Sequence, residues 1–479
     1  MSTETFLWHD YETFGRDASR ERPVQFAAIR TNPALEEIDE RTMIYCRQTP
    51  DYLPDPESCI VHGVLPQEAN KNGLSEWEFA SEIHTLMAQP GTCTLGYNNI
   101  RFDDEFSRQL FFRNLFDPYA REWQNGNSRW DLIDIVRLTR ALRPEGIEWP
   151  VDNEGYPTNK LELITDANGI SHGDAHDALA DVFATIEVAR LIKQKQPKLY
   201  DYALNAKSKQ FIQQTLNTIH KPAVLHVSGM YPATLGHLSI VMPLGPHPSN
   251  ANGILVYDLR VDPTDLITLP KEAIAERIFT RQSDLPEGSQ RIAVKTIHSN
   301  KCPVVAPLKT LTKDNAENLQ LDINQAMTYR EQLLANPQVL EKLAWAFASR
   351  DFPNADDPDL TLYSGQFASN GDKNVMNKVQ SLLTQGKPLP DTLSFEDQRL
   401  EELLFRLQAR HRPEHLSEQE NIKWRQFCHS RVHEGREGFR TIADYETALL
   451  QLEANEKSKN YPGMIKQLRD YGEQVATFS

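Results

Sequence analysis

Cysteine is scarce in this chain: its 479 residues hold five (Cys46, Cys59, Cys93, Cys302 and Cys428), scattered and never in a C-x-x-C pair. That spacing argues against a structural zinc site and a disulfide framework, and it fits a reducing cytoplasm. No stretch approaches the roughly 18 apolar residues a membrane span requires. The segment Met1 to Asp10 has neither a basic start nor a long apolar run, so no secretory signal is expected. A Gly-x4-Gly-Lys-Ser/Thr phosphate loop is missing, which leaves ATP-driven work without support. Internal repeats and low-complexity tracts are missing too.

Positive charge is also in short supply, with 51 Lys and Arg against 67 Asp and Glu, a formal charge of −16. Such a balance looks wrong for a nucleic-acid partner, whose binding is dominated by phosphate neutralisation. The distribution softens the objection. Residues 1–196 hold 33 acidic and 19 basic side chains (−14), 197–350 hold 13 and 16 (+3), and 351–479 hold 21 and 16 (−5). A middle segment of opposite sign could line a groove, while a metal site absorbs part of the N-terminal acidity. Solvated surface charge explains the same numbers equally well.

What is present reads as an ordinary globular chain, 39% hydrophobic and 25% charged, long enough for two to four domains. Residues 1–196 alternate strand and helix patterns. Strands are expected at Thr5–His9, Val24–Arg30, Thr42–Arg47 and Thr92–Tyr97; helices at Trp77–Met87, Glu105–Phe112 and His176–Lys193. The last has an apolar stripe of Leu179, Val182, Phe183, Ile186, Ala189 and Leu191. This alternation predicts an α/β layer fold. Residues 197–350 read as a β-rich domain with segments at Val224–Val227, Ser239–Met242, Ile254–Leu259 and Arg291–His298. After a Pro- and Asp-containing linker at Asp351–Asp359, residues 351–479 read as all-helical, with helices at Gln398–Arg410, Glu418–Phe427 and Thr441–Leu452.

Asp10 and Glu12 follow the apolar run Phe6–Trp8, and on a strand residues two apart project from one face. Alone, this pair is what any solvated strand end offers. Asp103 stands at the start of a helix, where a lone aspartate usually caps. His176 and Asp181 lie five apart, so they converge only if His176 sits in the loop or first turn, as it would with Asp174 as the helix cap. Together, four carboxylates from separate elements and one histidine are what two-metal phosphoryl transfer requires. Mg2+ prefers oxygen ligands, two such ions about 4 Å apart can activate water and stabilise a departing oxygen, and histidine suits proton removal near neutrality.

The motifs Asp10-Tyr-Glu12-Thr13, Asn99-x-x-Phe102-Asp103 and His176-x4-Asp181 resemble the three motifs of the DEDDh exonuclease superfamily, in order. Within it, the segments His9–Gly15, Gln25–Arg30, Leu95–Glu105, Asn127–Asp131, Ala141–Ile147, His226–Met230, Asn300–Val304 and Asn336–Val339 are similar to the bacterial exodeoxyribonuclease I family. The likeness covers residues 1–350 well and thins beyond them. It implies an RNase H-like nuclease domain, an SH3-like β domain and a helical domain, forming a C-shape around single-stranded DNA. It further implies 3'→5' removal of 5'-mononucleotides, a role in DNA repair and recombination, and two Mg2+ ions, with Mn2+ able to substitute. Asp10, Glu12, Asp103 and Asp181 would then be metal ligands and His176 the general base, with Thr13 and Phe14 against the terminal nucleotide.

A channel for single strands needs basic side chains for phosphates and aromatic faces for bases. Arg101, Arg129, Trp130 and Arg143 are candidates in the first domain, and Lys221, Lys295 and Lys301 in the second; Trp130 reads equally well as core. The resemblance also implies a partner, the acidic C-terminal tail of single-stranded DNA-binding protein, on a basic patch that includes Arg143 and Tyr202. Lys313 stands where an arginine is expected in that patch. A monomer is expected. The rival readings are a nuclease of the same fold acting on RNA, whose chains mostly match the first domain alone in length, and a non-catalytic DNA-end or scaffold protein. Intact catalytic positions disfavour the latter.

Overall fold

The computed structural model describes residues 4–171, 177–348, 355–455 and 461–478. The chain folds as two compact units. The first comprises residues 1–128, 172–183 and 353–479; the second comprises 129–171 and 184–352.

In the first unit, four strands are ordered β3-β2-β1-β4: β1 (Thr5–Thr13), β2 (Pro23–Thr31), β3 (Thr42–Tyr45) and β4 (Thr92–Gly96). β2 runs antiparallel to β1 and β3, whereas β4 runs parallel to β1. Register places Asp10 opposite Ala27 and Glu12 opposite Gln25, with an irregularity between Glu12 and Thr13 that ends the regular ladder. Every residue of β2 is buried, as expected of a strand covered on both faces. The connection to β4 includes the helix Glu76–Met87, begun by a reciprocal capping box between Ser75 and Glu78. β4 comes so close to β1 that a Cβ on Gly96 would stand 2.6 Å from the His9 carbonyl oxygen, which is why the strand ends on glycine. The helix Asp103–Arg113 follows.

The C-terminal helices Asn370–Thr384, Gln398–His411, Glu418–Val432, Ile442–Ala454 and Pro462–Phe478 belong to this same unit. One core cluster joins Leu7, Tyr11 and Phe26 of the sheet to Met376, Val379, Leu403 and Leu407. A second joins Phe14 and Val24 to Tyr445, Leu449 and Leu468. The same unit holds a buried ionic cluster. Arg431 reaches Asp51 at 2.9 Å, Asp357 at 2.8 Å and Asp359 at 2.7 Å, while Arg410 reaches Asp51 at 2.9 Å and Asp359 at 2.6 Å. Burial alone would raise the Asp51 carboxyl, but the guanidiniums of Arg410, Arg431 and Arg22 hold it well below the usual carboxylate range.

β5 (Ser128–Asp131) lies where the chain passes from the first unit to the second. The second unit contains an antiparallel sheet ordered β10-β6-β7-β8-β9, from β6 (Val224–Val227), β7 (Leu238–Pro246), β8 (Gly253–Asp258), β9 (Val294–His298) and β10 (Val305–Pro307). The four expected β segments fall on β6 to β9. The sequence pattern missed β10, which is three residues long, and the helices Lys271–Phe279, Ile323–Leu334 and Val339–Ala348. All five cysteines are buried, and none is in a disulfide. No helix among the described residues is long and apolar enough to cross a membrane.

Candidate active site

β1 brings the first two carboxylates out together. Alternation puts Asp10 and Glu12 on one face, both half-buried, while Tyr11 between them points into the core and is 3% exposed. The third carboxylate, Asp181, stands in the first turn of the helix Ala178–Lys195. Carboxylate oxygens of Asp10, Glu12 and Asp181 all lie within 4.8 Å of one another, the one such group of three or more potential metal-ligating side chains among the described residues.

Asp103 is the first residue of its helix. The cap position belongs to Phe102, whose side chain makes no capping bond, so the capping reading of Asp103 is corrected. Its Oδ1 accepts the backbone N–H of Tyr11 at 3.1 Å, and the residue is 2% exposed. A similar tie holds the Asp181 helix. Gln25, opposite Glu12 on β2, accepts the Ala178 N–H at 3.4 Å and donates to the Tyr45 hydroxyl at 3.0 Å.

The electrostatics follow from crowding. Burial pushes the Asp10 carboxyl well above its usual range, and the neighbouring charges of Asp103, Glu12 and Asp181 push it further. Glu12 is raised to about 9, again by burial first, then by Asp181, Asp103 and Asp177. These carboxylates oppose one another's ionisation, and a cation among them would relieve the repulsion. His9, next to Asp10 but facing the core, is lowered to about 4 by burial and stays neutral at working pH.

His176 and Asp174 lie outside the described residues. The helix start is capped by Asp177, whose Oδ1 accepts the N–H groups of Leu179 at 2.9 Å and Ala180 at 3.3 Å. Sequence reasoning missed Asp177 both as cap and as a carboxylate felt at the site; its place immediately before the helix was the available signal.

The expected substrate residues divide. Arg101 is exposed, close in sequence to Asp103. Thr13 is 7% exposed, with its hydroxyl donating to the Gly15 carbonyl at 2.7 Å. Phe14 is fully buried, its ring 5.6 Å from that of His62. Trp130 is likewise fully buried, with its indole N–H donating to the Ala203 carbonyl at 3.0 Å; it is a core residue. Arg129 is 4% exposed and donates to the Asn300 carbonyl at 2.8 Å. Half-buried Arg143 donates to the carbonyls of Leu142 and Thr310, and the Tyr202 hydroxyl donates to Val305. Lys295 lies 3.0 Å from the Nε2 of His226 and over the Tyr231 ring. Lys301 is exposed, Lys221 half-buried, and exposed Lys313 faces Glu317 at 3.8 Å.

Comparison with known proteins adds three family matches. A model described as "Exonuclease" matches residues 7–189, "Exonuclease I SH3-like domain" matches 207–349, and "Exonuclease I C-terminal domain" matches 356–475. The exodeoxyribonuclease I of Escherichia coli K12 is 42% identical over 472 residues, 98% of each chain. That of Haemophilus influenzae is 41% identical over 471 residues, again 98% of each. Among solved structures, a moderately thermophilic exonuclease I from Methylocaldum szegediense matches with a TM-score of 0.91 and 46% identity, covering 98% of this chain and 99% of that one. E. coli exonuclease I in complex with a dA16 oligonucleotide matches with a TM-score of 0.92 and 40% identity over 98% and 100%. SSB/exonuclease I in complex with the inhibitor CFAM matches with a TM-score of 0.88 and 39% identity over 99% and 100%.

Proposed function

The chain belongs to the exodeoxyribonuclease I family, and from that membership we propose that it trims single-stranded DNA from the 3' end to 5'-mononucleotides, with a role in DNA repair and recombination. The observation that carries this reading is the convergence of Asp10, Glu12 and Asp181 within 4.8 Å. Such a donor set, all carboxylate oxygen, fits a hard divalent cation.

We assign two Mg2+ ions, replaceable by Mn2+, to Asp10, Glu12, Asp103 and Asp181. When bound, such ions supply an activated water and charge to offset the departing 3'-oxygen. Asp10 and Glu12 stand on β1 where it pairs with Ala27 and Gln25 of β2, so the sheet sets their backbone positions before substrate arrives. The imidazole of His176 takes the proton of the attacking water, as a group titrating near neutrality can. Arg101 contacts the phosphates and Thr13 borders the terminal nucleotide.

The further assignments rest on the family. A nuclease domain at 1–196, an SH3-like domain at 197–350 and a helical domain at 351–479 form the division we adopt. Single-stranded DNA is the substrate and the C-terminal tail of single-stranded DNA-binding protein the partner, supported by the oligonucleotide and SSB structures of relatives. Arg143 and Tyr202 are assigned to the partner patch. The enzyme acts as a monomer in the cytoplasm, where its five buried thiols remain reduced.

Digestion of a 5'-labelled single-stranded DNA oligonucleotide, beside RNA and duplex counterparts, with Mg2+ or with EDTA, tests the reading. A Mg2+-dependent ladder on single-stranded DNA alone supports it. Preference for RNA would overturn the substrate, and no cleavage of any strand would overturn the activity.

A further inference from the structure

We propose that Tyr11, the residue between the two strand carboxylates, is a positioning residue that sets Asp103 against Asp10 and Glu12 through a two-point grip on the helix Asp103–Arg113. The inference rests on the exonuclease reading above. The first point is the backbone: the Tyr11 N–H donates to Asp103 Oδ1 at 3.1 Å. The second is the side chain: the Tyr11 phenol and the Ser107 hydroxyl are 2.9 Å apart, one helical turn beyond Asp103. Both groups are buried, Tyr11 at 3% and Ser107 at 0% exposure, so this hydrogen bond has no competing water.

Two further observations make the grip consequential. The helix has no side-chain cap of its own, because Phe102 occupies that position. The Tyr11 bond to Asp103 adds a tie from β1 to a first turn that is also held by the Asp104 N–H donating to the Asn99 carbonyl at 2.9 Å. The Tyr11 ring is wedged against Phe26, with centroids 4.9 Å apart, so its reach is fixed by the core. A single residue thus carries its neighbours Asp10 and Glu12 on one face of the strand while its other face fixes the helix that supplies Asp103. Small displacements of ligating groups have large kinetic costs, which is why such a grip matters for rate.

The test compares Tyr11→Phe, Ser107→Ala and the double variant, each first shown to be folded by its melting transition. Two readings are taken: kcat and KM on a single-stranded oligonucleotide, and calorimetric titration of Mn2+ into DNA-free protein. Each single variant is expected to lose about tenfold in kcat and in Mn2+ affinity, the scale of one buried hydrogen bond, with KM for DNA little changed. The double variant is expected to be no worse than either single one, because both remove the same contact. Wild-type kcat and Mn2+ affinity in Tyr11→Phe, or losses that multiply in the double variant, would overturn the positioning role while leaving the nuclease reading intact. A wild-type protein without divalent-dependent hydrolysis would overturn that reading instead.

Discussion

Replacing Glu12 by Gln is expected to stabilise the metal-free protein at alkaline pH while removing its response to metal. The Glu12 carboxyl is raised to about 9 in the folded chain, against about 4.3 for an unperturbed glutamate. A raised value means that the folded state holds a proton which the unfolded chain releases. The associated stability is therefore fully present below about pH 4.3 and is lost progressively as pH rises towards 9. At pH 8, some 3.7 pH units into that window, the ceiling is about 5 kcal/mol at 1.36 kcal/mol per unit. Glu12 is only half-buried, and the repulsion is shared with Asp10, so water and redistribution of the proton cut the figure. About 1–2 kcal/mol is the working estimate.

The Glu12→Gln substitution removes that charge and keeps the shape of the side chain. In EDTA at pH 8 the transition of the variant should lie about 2–6 °C above wild type, and the gap should close near pH 5. Adding Mg2+ or Mn2+ should reverse the order, because ligand binding stabilises the native state by mass action only where the site can hold the ion. Differential scanning fluorimetry across pH, with and without metal, reads both effects. Equal or lower stability of Glu12→Gln at pH 8 in EDTA, or undiminished stabilisation by metal in the variant, would refute the argument from carboxylate repulsion.

Asp10→Ala and Asp181→Ala should each abolish hydrolysis yet leave binding of a labelled oligonucleotide largely intact, read by gel digestion beside fluorescence anisotropy; full activity in either would sink the metal-site assignment. His176→Ala should lose about 10²–10⁴ in kcat, the usual scale for a general base, with the Mn2+ titration unchanged; a loss of metal affinity of similar size would reassign His176 to another role. Arg431→Met leaves Asp51, Asp357 and Asp359 short of a partner. It should cost about 3–5 kcal/mol, seen as a fall of more than about 5 °C in the melting transition; a shift under about 2 °C would mean that solvent reaches the cluster.

The sequence disclosed those parts of the site that obey local rules. Asp10 and Glu12 share a face because strand side chains alternate, and nothing distant is needed to see it. The placement of Asp103 after a strand was legible and its motif pointed to a metal ligand, but the Tyr11 N–H that reaches its carboxylate from 92 positions away was not. Burial was the larger blind spot. Phe14 and Trp130 carry nothing in their neighbours that separates a base-stacking ring from a core ring, and both are fully buried. The same holds for charge. Nothing local marks Asp51, Asp359, Arg410 and Arg431 as partners, yet they meet across as many as 380 positions of chain, all of them buried.

That blindness hides the most consequential feature of the first unit, which is that the C-terminal helices share a core with the sheet that carries Asp10 and Glu12. Composition alone separates the two, one alternating and one all-helical, and suggests independent domains. The ion pairs argue otherwise. Asp51 lies between β3 and the helix Glu76–Met87, Asp359 lies beyond residue 350, and Arg410 binds both. A desolvated carboxylate costs several kcal/mol unless its partners are in place, so Asp51 cannot remain buried and charged without Arg410 and Arg431. Tyr11 of β1 and Phe26 of β2 belong to the same cluster as Leu403 and Leu407 of those helices. The geometry of Asp10 and Glu12 is therefore a property of the sheet and the C-terminal helices folded together.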